Sequence, residues 1–466
     1  MVVGANQKDM IPSIVGVDVK TNSILALDGH VYNADFLATK YGCNVPRSPG
    51  KLERLDATAL LAGYFAIGID IFKEAIGSFS GILKDGETLI GFRDPIGGKP
   101  LYVCDTDSFL LFASELKALS PLQETIVPLN PGQVFSSREG AKKYFDFKSP
   151  QNSLPHPITE DFYANKIREL LKNAVRDNIC PGEHVCALLS GGIDSTIVVS
   201  LAKDLIKNLH AYTVAVEGSN DLAYAQRYTK AYNLPHTIVT ITIDDLLKMI
   251  PDVIYALETF DAALIRSAIP MFIISKKMNE DEKPDVVLTG EGGDELFGGY
   301  DYLKALSNEQ EFNRELLNLL EIEHKTGLQR VDRIPYHFSI EARAPLFDRR
   351  LVEFSFQIPH DLKIREVGGK KIEKYILRRA FEKDIPPDFV WREKEKFSKG
   401  VGSQFFLRDY FQNHISDEEF ESEKRVTDTL VVRSKEELYF WRIFNSKFHP
   451  TPATISQLGF TSSYEI

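Results

Sequence analysis

The sequence predicts an α/β protein with two domains, a small antiparallel one followed by a doubly wound parallel one that ends in helices. In the first domain, short apolar runs within residues 12–35 and 64–118 are separated by turn signals such as Asp-Gly at 85–86, which is the pattern of antiparallel hairpins. From Glu160 onward, long helical patterns alternate with β-rich runs. Such alternation is typical of a parallel sheet with helices on both faces. The predicted parallel strands are 185–189, 209–216, 237–241 and 286–288.

The chain length and a change in composition set the predicted domain boundaries. At 466 residues the chain exceeds what one hydrophobic core usually covers, so two domains are expected. A polar segment that contains prolines separates the two patterns and is interpreted as a linker. The prediction is a first domain over 1–147, a linker over 148–159, a second domain over 160–445 and a polar tail over 446–466.

Composition and charge exclude several classes of protein. The apolar fraction of 43% and the charged fraction of 26% are typical of a globular protein. The net charge of −11 argues against a general nucleic-acid binder. No apolar run reaches membrane-spanning length, and no signal segment is recognised. The four cysteines (Cys43, Cys104, Cys180, Cys186) form no CxxC pair and have no histidine at ligand spacing, which predicts no structural zinc and a cytoplasmic location.

A glycine-rich turn directly after the predicted strand 185–189 is the most informative stretch of the chain. The strand breaks at a serine and two glycines, and a helical pattern then starts at Asp194. A strand, a glycine turn and a helix N-terminus together bind phosphate, because the first backbone N–H groups of the helix point at the anion. There is no Walker-type GxxxxGK[ST] lysine. The candidate phosphate-binding residues are Ser190, Gly191, Gly192, Asp194 and Ser195.

A second glycine-rich turn, which carries acidic residues, follows the predicted strand 286–288. Its acids are Glu291, Asp294 and Glu295, which an ordinary solvated loop would also explain. In a doubly wound sheet, ligands bind at the carboxyl ends of the strands, so the two turns are expected to face one nucleotide. Asp194 and Asp294 are then the predicted Mg²⁺ ligands, because Mg²⁺ takes few carboxylates together with phosphate oxygens.

Both turns resemble those of the asparagine synthetase B family, the glutamine-dependent synthetases with an ATP-pyrophosphatase (PP-loop) domain. Residues 190–195 resemble the family's SGGLDS, and residues 289–300 resemble its SGEGSDExxGGY. Similar segments cover most of residues 160–405, so the motifs are jointly specific. The others are 257–261 with Arg266 (LET[YF]D…R), 340–348 (VEARVPFLD), 371–378 (KMEK…LR) and 391–402 (WRxKExFSDGVG).

The resemblance implies a two-step synthesis of asparagine. ATP adenylates the β-carboxylate of aspartate and releases pyrophosphate, and ammonia then displaces AMP. ATP and Mg²⁺ are the implied cofactors, and aspartate and ammonia are the implied substrates. Positive charge must offset the repulsion of the two anions in the first step, and the resemblance assigns this role to Lys374 and Lys394. It also assigns substrate binding to Asp261, Arg266 and Lys374, and ATP contacts to the first turn and to Leu188, Val214, Thr289 and Gly290.

Glu291 distinguishes two kinds of ligase that share these motifs. The related β-lactam and carbapenam synthetases have a tyrosine at this place, and they deprotonate an amine of the same substrate molecule. A glutamate near an attacking amine can accept its proton, so Glu291 favours an external nitrogen nucleophile. Glu341 is a further candidate catalytic residue, and a buried structural ion pair with Arg343 is an equally open interpretation.

The first domain resembles a shortened class II glutamine amidotransferase domain, an Ntn-like antiparallel αββα fold. Residues 25–33, 92–102 and 112–119 match its segments. The family starts with Met-Cys, whose cysteine attacks glutamine, whereas this sequence has Val2. The asparagine of the family's oxyanion pair is Asp28 here, and its charge would repel a developing oxyanion. A domain without glutaminase activity is therefore predicted, with nitrogen from free ammonia or from a separate glutaminase subunit.

Three interpretations of the whole chain stay open from the sequence. The leading one is an ATP-dependent ligase of the asparagine synthetase type, which the family resemblance implies to be a homodimer. The second is a ligase that adenylates another carboxylate, as a β-lactam synthetase does. The third is a non-catalytic paralogue, although both turns keep their acids. Among smaller departures from the family pattern, Gly293 replaces a serine, and Lys399 replaces an aspartate and puts the substrate in doubt.

Overall fold

The computed structural model of the protein describes residues 14–18, 21–43, 55–147, 159–215, 220–392, 403–428 and 430–458. The chain divides into two compact units, one formed by residues 1–147 with 448–459 and the other by residues 148–447 with 460–466. Of the predicted linker, only Thr159 lies within the described residues. Within the described ranges, no helix has both the length and the apolar character needed to cross a membrane.

The first unit is built on antiparallel sheets, as the hairpin pattern predicts. The strands are β1 (Ile14–Asp18), β2 (Ser23–Val31), β3 (Gly77–Asp85), β4 (Thr88–Arg93), β5 (Tyr102–Asp105), β6 (Leu110–Ala113), β7 (Val127–Pro128), β8 (Gln133–Ser136) and β9 (Gly140–Lys143). One sheet has six strands in the order β1-β2-β3-β4-β8-β9, and another has three strands in the order β6-β5-β7. The helices are α1 (Ala34–Lys40), α2 (Asp56–Ile67) and α3 (Ile71–Glu74).

The core of the first unit lies between the large sheet and these helices. Alternate residues of β2, among them Leu25 and Leu27, are buried together with Leu60 of α2. The rings of Phe72 and Phe92 stack at 4.2 Å between centroids. Each such buried side chain contributes about 1.5–3 kcal/mol, so this unit has a core of its own.

The C-terminal helix Pro452–Leu458 belongs to the first unit. The Ile126 N–H donates to Thr454 Oγ1 at 3.0 Å, and Thr454 and Ile455 are buried. The sequence predicts this stretch as part of a polar tail, because a single buried turn leaves too few apolar positions to show a period.

The second unit contains a parallel sheet, which confirms the predicted fold class. Its strands are β10 (Val185–Leu188), β11 (His210–Ala215), β12 (His236–Thr240), β13 (Val286–Leu288) and β14 (Glu341–Arg343). The sheet order is β12-β11-β10-β13-β14, and every pair is parallel. The four predicted strands are correct to within one residue at each end, whereas β14 was not predicted. The chain winds outward in both directions from β10 and β13, so the topological switch point lies between these two strands.

Helices surround this sheet and continue to the end of the unit. Helix α5 (Ile193–Ala202) is buried along almost its whole length, and Ile197, Val198 and Val199 are fully buried. A short hairpin of β15 (Arg365–Val367) and β16 (Lys370–Ile372) precedes α14. The helices are α4 (Glu160–Asp177), α5 (Ile193–Ala202), α6 (Asn220–Ala231), α7 (Ile243–Leu257), α8 (Ala262–Asp281), α9 (Gly293–Phe297), α10 (Glu309–Ile322), α11 (Gly327–Tyr336), α12 (Arg349–Ser355), α13 (His360–Lys363), α14 (Tyr375–Phe381), α15 (Pro387–Val390), α16 (Ser403–His414), α17 (Asp417–Glu423) and α18 (Lys435–Phe448).

Candidate active site

The first glycine-rich turn connects β10 to α5 at the carboxyl edge of the sheet. Ser195 Oγ accepts from the Ser190 backbone N–H at 3.2 Å and lies 3.0 Å from Ser190 Oγ. Gly191 has a φ of +79°, and a Cβ there would lie 2.3 Å from the Asp221 carbonyl oxygen. This turn therefore requires glycine, and it opens a helix whose first N–H groups suit a phosphate.

The second turn connects β13 to α9 and lies directly against the first. A Cβ on Gly290 would be 2.5 Å from the Ser195 nitrogen, and a Cβ on Gly293 would be 2.2 Å from Asp194 Oδ1. Real Cβ atoms do not approach other atoms so closely, so Gly290, which faces backbone atoms, requires glycine, whereas a Cβ at position 293 would displace the Asp194 side chain. The structure thus brings the two turns together at the switch point, where α/β sheets bind ligands.

Lys374 joins the two turns from a distant part of the sequence. Its Nζ forms an ion pair with Asp194 and lies 2.9 Å from Asp294 Oδ1. The lysine side chain is 1% exposed and its backbone is left-handed, with a φ of +55°, directly before α14. Burial acts to lower the pKa of Lys374, but the two carboxylates outweigh it and raise that pKa. One permanent positive charge is therefore fixed between the two predicted metal ligands.

The residues at this point fit a divalent cation. Asp194 and Asp294 come from different turns and direct their carboxylates at the same positive centre, the Lys374 ammonium. Mg²⁺ is commonly held by one or two carboxylates, while phosphate oxygens and water complete its octahedron. The two aspartates supply that number of carboxylates and leave the other positions to a nucleotide.

Glu291 lies in the second turn and pairs with an arginine. Its carboxylate is 2.5 Å from Arg330 of α11. Burial acts to lower the pKa of Arg330, but Glu291 and Glu323 outweigh it and raise that pKa. The arginine is therefore charged at any physiological pH, and it holds the Glu291 carboxylate in place by a charge-assisted hydrogen bond.

Two further carboxyl groups, those of Glu295 and Glu323, interact electrostatically with Glu291 and have raised pKa values. Burial, with Asp294 and Glu291 as neighbours, raises the pKa of Glu295 to about 7, and the Tyr300 hydroxyl donates to this group. Burial also raises the pKa of Glu323, again with Glu295 and Glu291 as neighbours. A carboxyl group that titrates near pH 7 is suited to take up and release protons during a reaction.

The two apolar residues that are predicted to contact the nucleoside base lie at the same carboxyl edge. Leu188 and Val214, near the ends of β10 and β11, are half-buried and pack against one apolar cluster. The Thr289 N–H donates to the Arg343 carbonyl oxygen at 2.9 Å. Within the described part of the chain, the buried Thr289 hydroxyl has no hydrogen-bond partner, so it is available to a ligand.

The two predicted substrate-binding residues of the LET…D…R segment are engaged elsewhere. Asp261 caps α8 by accepting from Ala263 N at 3.0 Å, and its carboxylate also lies 3.5 Å from Arg433. Arg266 donates to Glu436 of α18 at 2.6 Å. These contacts hold both residues to the segment around α18, and the structure does not group them with the two turns.

Glu341 lies at the amino end of its strand. It pairs with Val286, the first residue of β13, and its carboxylate binds Arg343 at 2.9 Å. Arg343 also binds Glu183 at 2.7 Å, and both members of the Glu341–Arg343 pair are buried. This arrangement favours the structural ion pair over a catalytic role. The other predicted catalytic residue, Lys394, lies outside the described residues.

Sequence reasoning missed several residues of this site. Arg330 and Glu323 belong to helices with no motif, and nothing in the local sequence marks them. Glu295 is one of the acids predicted in the second turn, but the hydrogen bond that it accepts from Tyr300, five residues further along the chain, was not predicted.

Comparisons with known proteins cover both units. A family model described as asparagine synthase matches residues 166–330 and 304–441, and one described as a glutamine amidotransferase domain matches residues 14–121. Glutamine-hydrolyzing asparagine synthetase B of Escherichia coli (strain K12) is 31% identical over 457 residues, 92% of this chain and 79% of that protein. A probable glutamine-hydrolyzing asparagine synthetase of Schizosaccharomyces pombe is 32% identical over 413 residues, 80% of this chain and 72% of that protein. Glutamine-hydrolyzing asparagine synthetase 2 of Arabidopsis thaliana is 29% identical over 448 residues, 92% of this chain and 76% of that protein.

Proposed function

The chain belongs to the asparagine synthase family of carbon–nitrogen ligases, and from that premise we propose that it makes asparagine from aspartate, ATP and ammonia. The observation that carries the proposal is the convergence of Asp194, Asp294 and Lys374 at the switch point. A cation held between two carboxylates suits a reaction that releases pyrophosphate, because positive charge must balance the phosphate charge at the site of release.

In the first proposed step, an oxygen of the aspartate β-carboxylate attacks the α-phosphorus of ATP. The bond from that phosphorus to the β-phosphate oxygen breaks, and pyrophosphate leaves. Lys374 offsets the repulsion between the two anions, since its ammonium is buried and its charge is maintained by Asp194 and Asp294. When bound to these two aspartates, Mg²⁺ supplies further neutralisation of the phosphate charge.

In the second proposed step, the nitrogen of ammonia attacks the acyl carbon of β-aspartyl-AMP. The bond from that carbon to the phosphate oxygen breaks, AMP leaves, and the nitrogen loses one proton. Glu291 accepts this proton, because Arg330 holds its carboxylate in place and the side chain belongs to the turn that also carries Asp294. Glu295, whose pKa burial and the neighbouring Asp294 and Glu291 raise to about 7, is the proposed next acceptor of the proton.

We also propose that the first unit does not hydrolyse glutamine. Asp28 on β2 occupies the place of the oxyanion asparagine in the family pattern, and a carboxylate there opposes the developing negative charge. Gly29 beside it has a φ of +97°, and a Cβ there would be 2.1 Å from the Ser78 carbonyl oxygen. Position 29 of the oxyanion pair thus requires glycine, whereas the asparagine of the family pattern is replaced by Asp28. Nitrogen then comes from free ammonia or from a separate glutaminase subunit.

A second candidate function is the adenylation of a different carboxylate, as in a β-lactam-synthetase-like ligase. One observation favours it: Asp261 and Arg266, which the family resemblance assigns to aspartate binding, are bound to Arg433 and Glu436. If these contacts persist during turnover, the acceptor lacks its expected partners and another acid is the substrate.

Release of pyrophosphate and AMP from the purified chain with ATP and Mg²⁺ tests the proposal. We expect equimolar AMP and asparagine from aspartate with ammonium, and only background product from aspartate with glutamine. Asp194→Asn is expected to abolish both products, while Asp204→Asn, which changes an aspartate whose side chain is 71% exposed after the same helix, is the matched control. Pyrophosphate release with another carboxylic acid, and none with aspartate, would establish the second candidate instead.

We also propose that the protein is a homodimer and lies in the cytoplasm. The family resemblance supports a homodimer. All four cysteines are free thiols, Cys104 and Cys186 among them buried, which supports a reducing compartment such as the cytoplasm. Size-exclusion chromatography with light scattering is the check on the dimer.

A further inference from the structure

The amino ends of the parallel strands carry a group of histidines, on the edge opposite the two turns. His184 directly precedes β10, His210 opens β11, and His236 opens β12. Glu282, the residue that ends α8, reaches the same edge. None of these residues takes part in the function proposed above, and no sequence pattern predicts that they lie together.

Three of these groups have the spacing of metal ligands. His184 Nε2 lies 3.1 Å from Glu282 Oε2, and Cys186 Sγ lies 3.6 Å from the same oxygen. One ligand atom from each of the three residues lies within 4.8 Å of the other two. Around a tetrahedral zinc ion, with about 2.0–2.3 Å from metal to ligand, neighbouring ligand atoms are roughly 3.3–3.7 Å apart. The two separations from Glu282 Oε2 lie within about 0.2 Å of that range, and the ligand atoms of His184 and Cys186 lie within 4.8 Å of each other.

The strand and the helix end explain why these side chains meet. Side chains two apart on a strand share a face, so His184 and Cys186 project to the same side of β10. The His184 backbone is fixed on both sides, since its N–H donates to Asp285 Oδ2 at 2.8 Å and its carbonyl accepts from Asp285 N at 2.9 Å. Glu282 then arrives from the end of α8, 96 residues from Cys186 in sequence.

A second histidine orients the carboxylate from its outer side. His210 Nδ1 is hydrogen-bonded to Glu282 Oε1, the oxygen that His184 does not contact. The other ring nitrogen of His210 lies 3.0 Å from Thr237 Oγ1, and the ring stacks on Tyr212 at 4.4 Å. Such a chain of outer partners is the usual support of a ligating carboxylate, because it fixes the direction of its free oxygen.

We propose that His184, Cys186 and Glu282 bind a zinc ion, with His210 as the positioning residue behind Glu282. One sulfur, one imidazole nitrogen and one carboxylate oxygen suit zinc, whereas Mg²⁺ prefers oxygen ligands alone. Cys186 is fully buried and the His184 side chain is 48% exposed, so the fourth ligand is a solvent water on the histidine side. Bound there, zinc ties β10 to the end of α8 at the edge away from the reaction.

Cobalt substitution of the full chain tests the site and separates it from the magnesium site. We expect one equivalent of Zn²⁺ to survive buffer exchange, and Co²⁺ to give a thiolate-to-cobalt absorption band in the near ultraviolet. Asp194→Asn is expected to leave this band unchanged, because the site between the two turns contains no thiol. A band that disappears in Asp194→Asn, or Co²⁺ that binds without any thiolate band, contradicts the proposal.

Matched variants identify the ligands. Cys186→Ser is expected to abolish the band, while Cys104→Ser, which changes a cysteine equally buried in the first unit, is expected to keep it. His184→Gln changes a half-exposed side chain and therefore keeps the fold, and it is expected to weaken Zn²⁺ binding more than tenfold. His414→Gln, on an exposed histidine of α16, is its control. Unchanged Zn²⁺ affinity in His184→Gln would overturn the assignment even if Cys186→Ser does not fold.

Discussion

Acidic residues are used in opposite ways in the two units. In the first unit, buried Asp94 accepts from the backbone N–H groups of Phe79 at 3.1 Å, Ile96 at 2.8 Å and Gly97 at 2.7 Å. In the second unit, Asp194 and Asp294 share one lysine side chain. Backbone partners cannot leave without unfolding the loop, whereas two carboxylates that share one side-chain cation can also bind a metal ion. The same residue type thus builds a scaffold in one unit and a site in the other.

The neighbouring arginine in the first unit strengthens the contrast. Arg93 donates to the carbonyl oxygens of Lys99 at 2.7 Å, Leu129 at 2.8 Å and Gly97 at 2.8 Å, and it is 3% exposed. These three hydrogen bonds from the Arg93 guanidinium close the loop after β4. This part of the family pattern is therefore retained for stability, which is compatible with a first unit that has no glutaminase activity.

The largest expected effect is a loss of stability in the first unit. Asp94→Ala leaves its backbone N–H donors buried without an acceptor, and we expect the first unit to lose about 3–5 kcal/mol of stability. Limited proteolysis and thermal unfolding report the change. Pyrophosphate release with ammonium is expected to persist at a temperature where the second unit is folded, and its complete loss there would contradict the division of roles.

The next largest expected effect is a loss of activity at the site between the two turns. Lys374→Met removes the cation between Asp194 and Asp294, and we expect kcat for pyrophosphate release to fall roughly 10²–10³-fold. Steady-state kinetics at saturating ATP measures this loss. Lys363→Met is the matched control, because Lys363 is also fully buried. Equal loss in both variants would mean that burial of a lysine, and not its place between two aspartates, matters.

A third prediction sharpens the difference between these two buried lysines. In the described part of the chain, Lys363 Nζ has no hydrogen-bond partner, and burial lowers its pKa to about 7. Its folded pKa is below the unfolded value of 10.5, so the folded chain binds fewer protons between these values and stability rises with pH from about 7 to 10. Lys363→Met is expected to stabilise the protein by about 2–4 kcal/mol at pH 7 and to remove this rise. Denaturant unfolding at pH 7 and pH 9 is the measurement.

The smallest expected effect concerns the contact between the two turns. Gly293→Ser restores the residue of the family pattern, but its Cβ would start 2.2 Å from Asp194 Oδ1. The end of that side chain can rotate, so we expect a change of about 1 kcal/mol, or roughly fivefold, in the apparent affinity for Mg²⁺. A Mg²⁺ titration of the initial rate detects it. An unchanged affinity would show that Asp194 does not contact the metal.

Much of the fold could be predicted from the sequence, because periodicity and glycine turns are local signals. They located four of the five parallel strands and both turns at the switch point. Strand β14 was missed because it has three residues and a charged pair, Glu341 and Arg343, in place of an apolar run. The family resemblance, and not local pattern, pointed to Lys374, which lies 180 residues from the aspartate it binds.

The parts of the site that could not be predicted depend on helices meeting in space. Arg330 and Glu323 are single charges on helical segments, and the sequence does not show which of many such charges face Glu291. The cluster of His184, Cys186 and Glu282 was overlooked for a related reason. Only His184 and Cys186 are close in sequence, whereas the third proposed ligand, Glu282, comes from the distant end of a helix.

Transfer of ¹⁸O from aspartate to AMP tests the central claim most directly. Aspartate labelled in its β-carboxylate is incubated with the chain, ATP, Mg²⁺ and ammonium, and the AMP is analysed by mass spectrometry. If the carboxylate attacks the α-phosphorus, each AMP carries one ¹⁸O atom and the pyrophosphate carries none. Unlabelled AMP, or label in pyrophosphate or in inorganic phosphate, would contradict the adenylation of aspartate at this site.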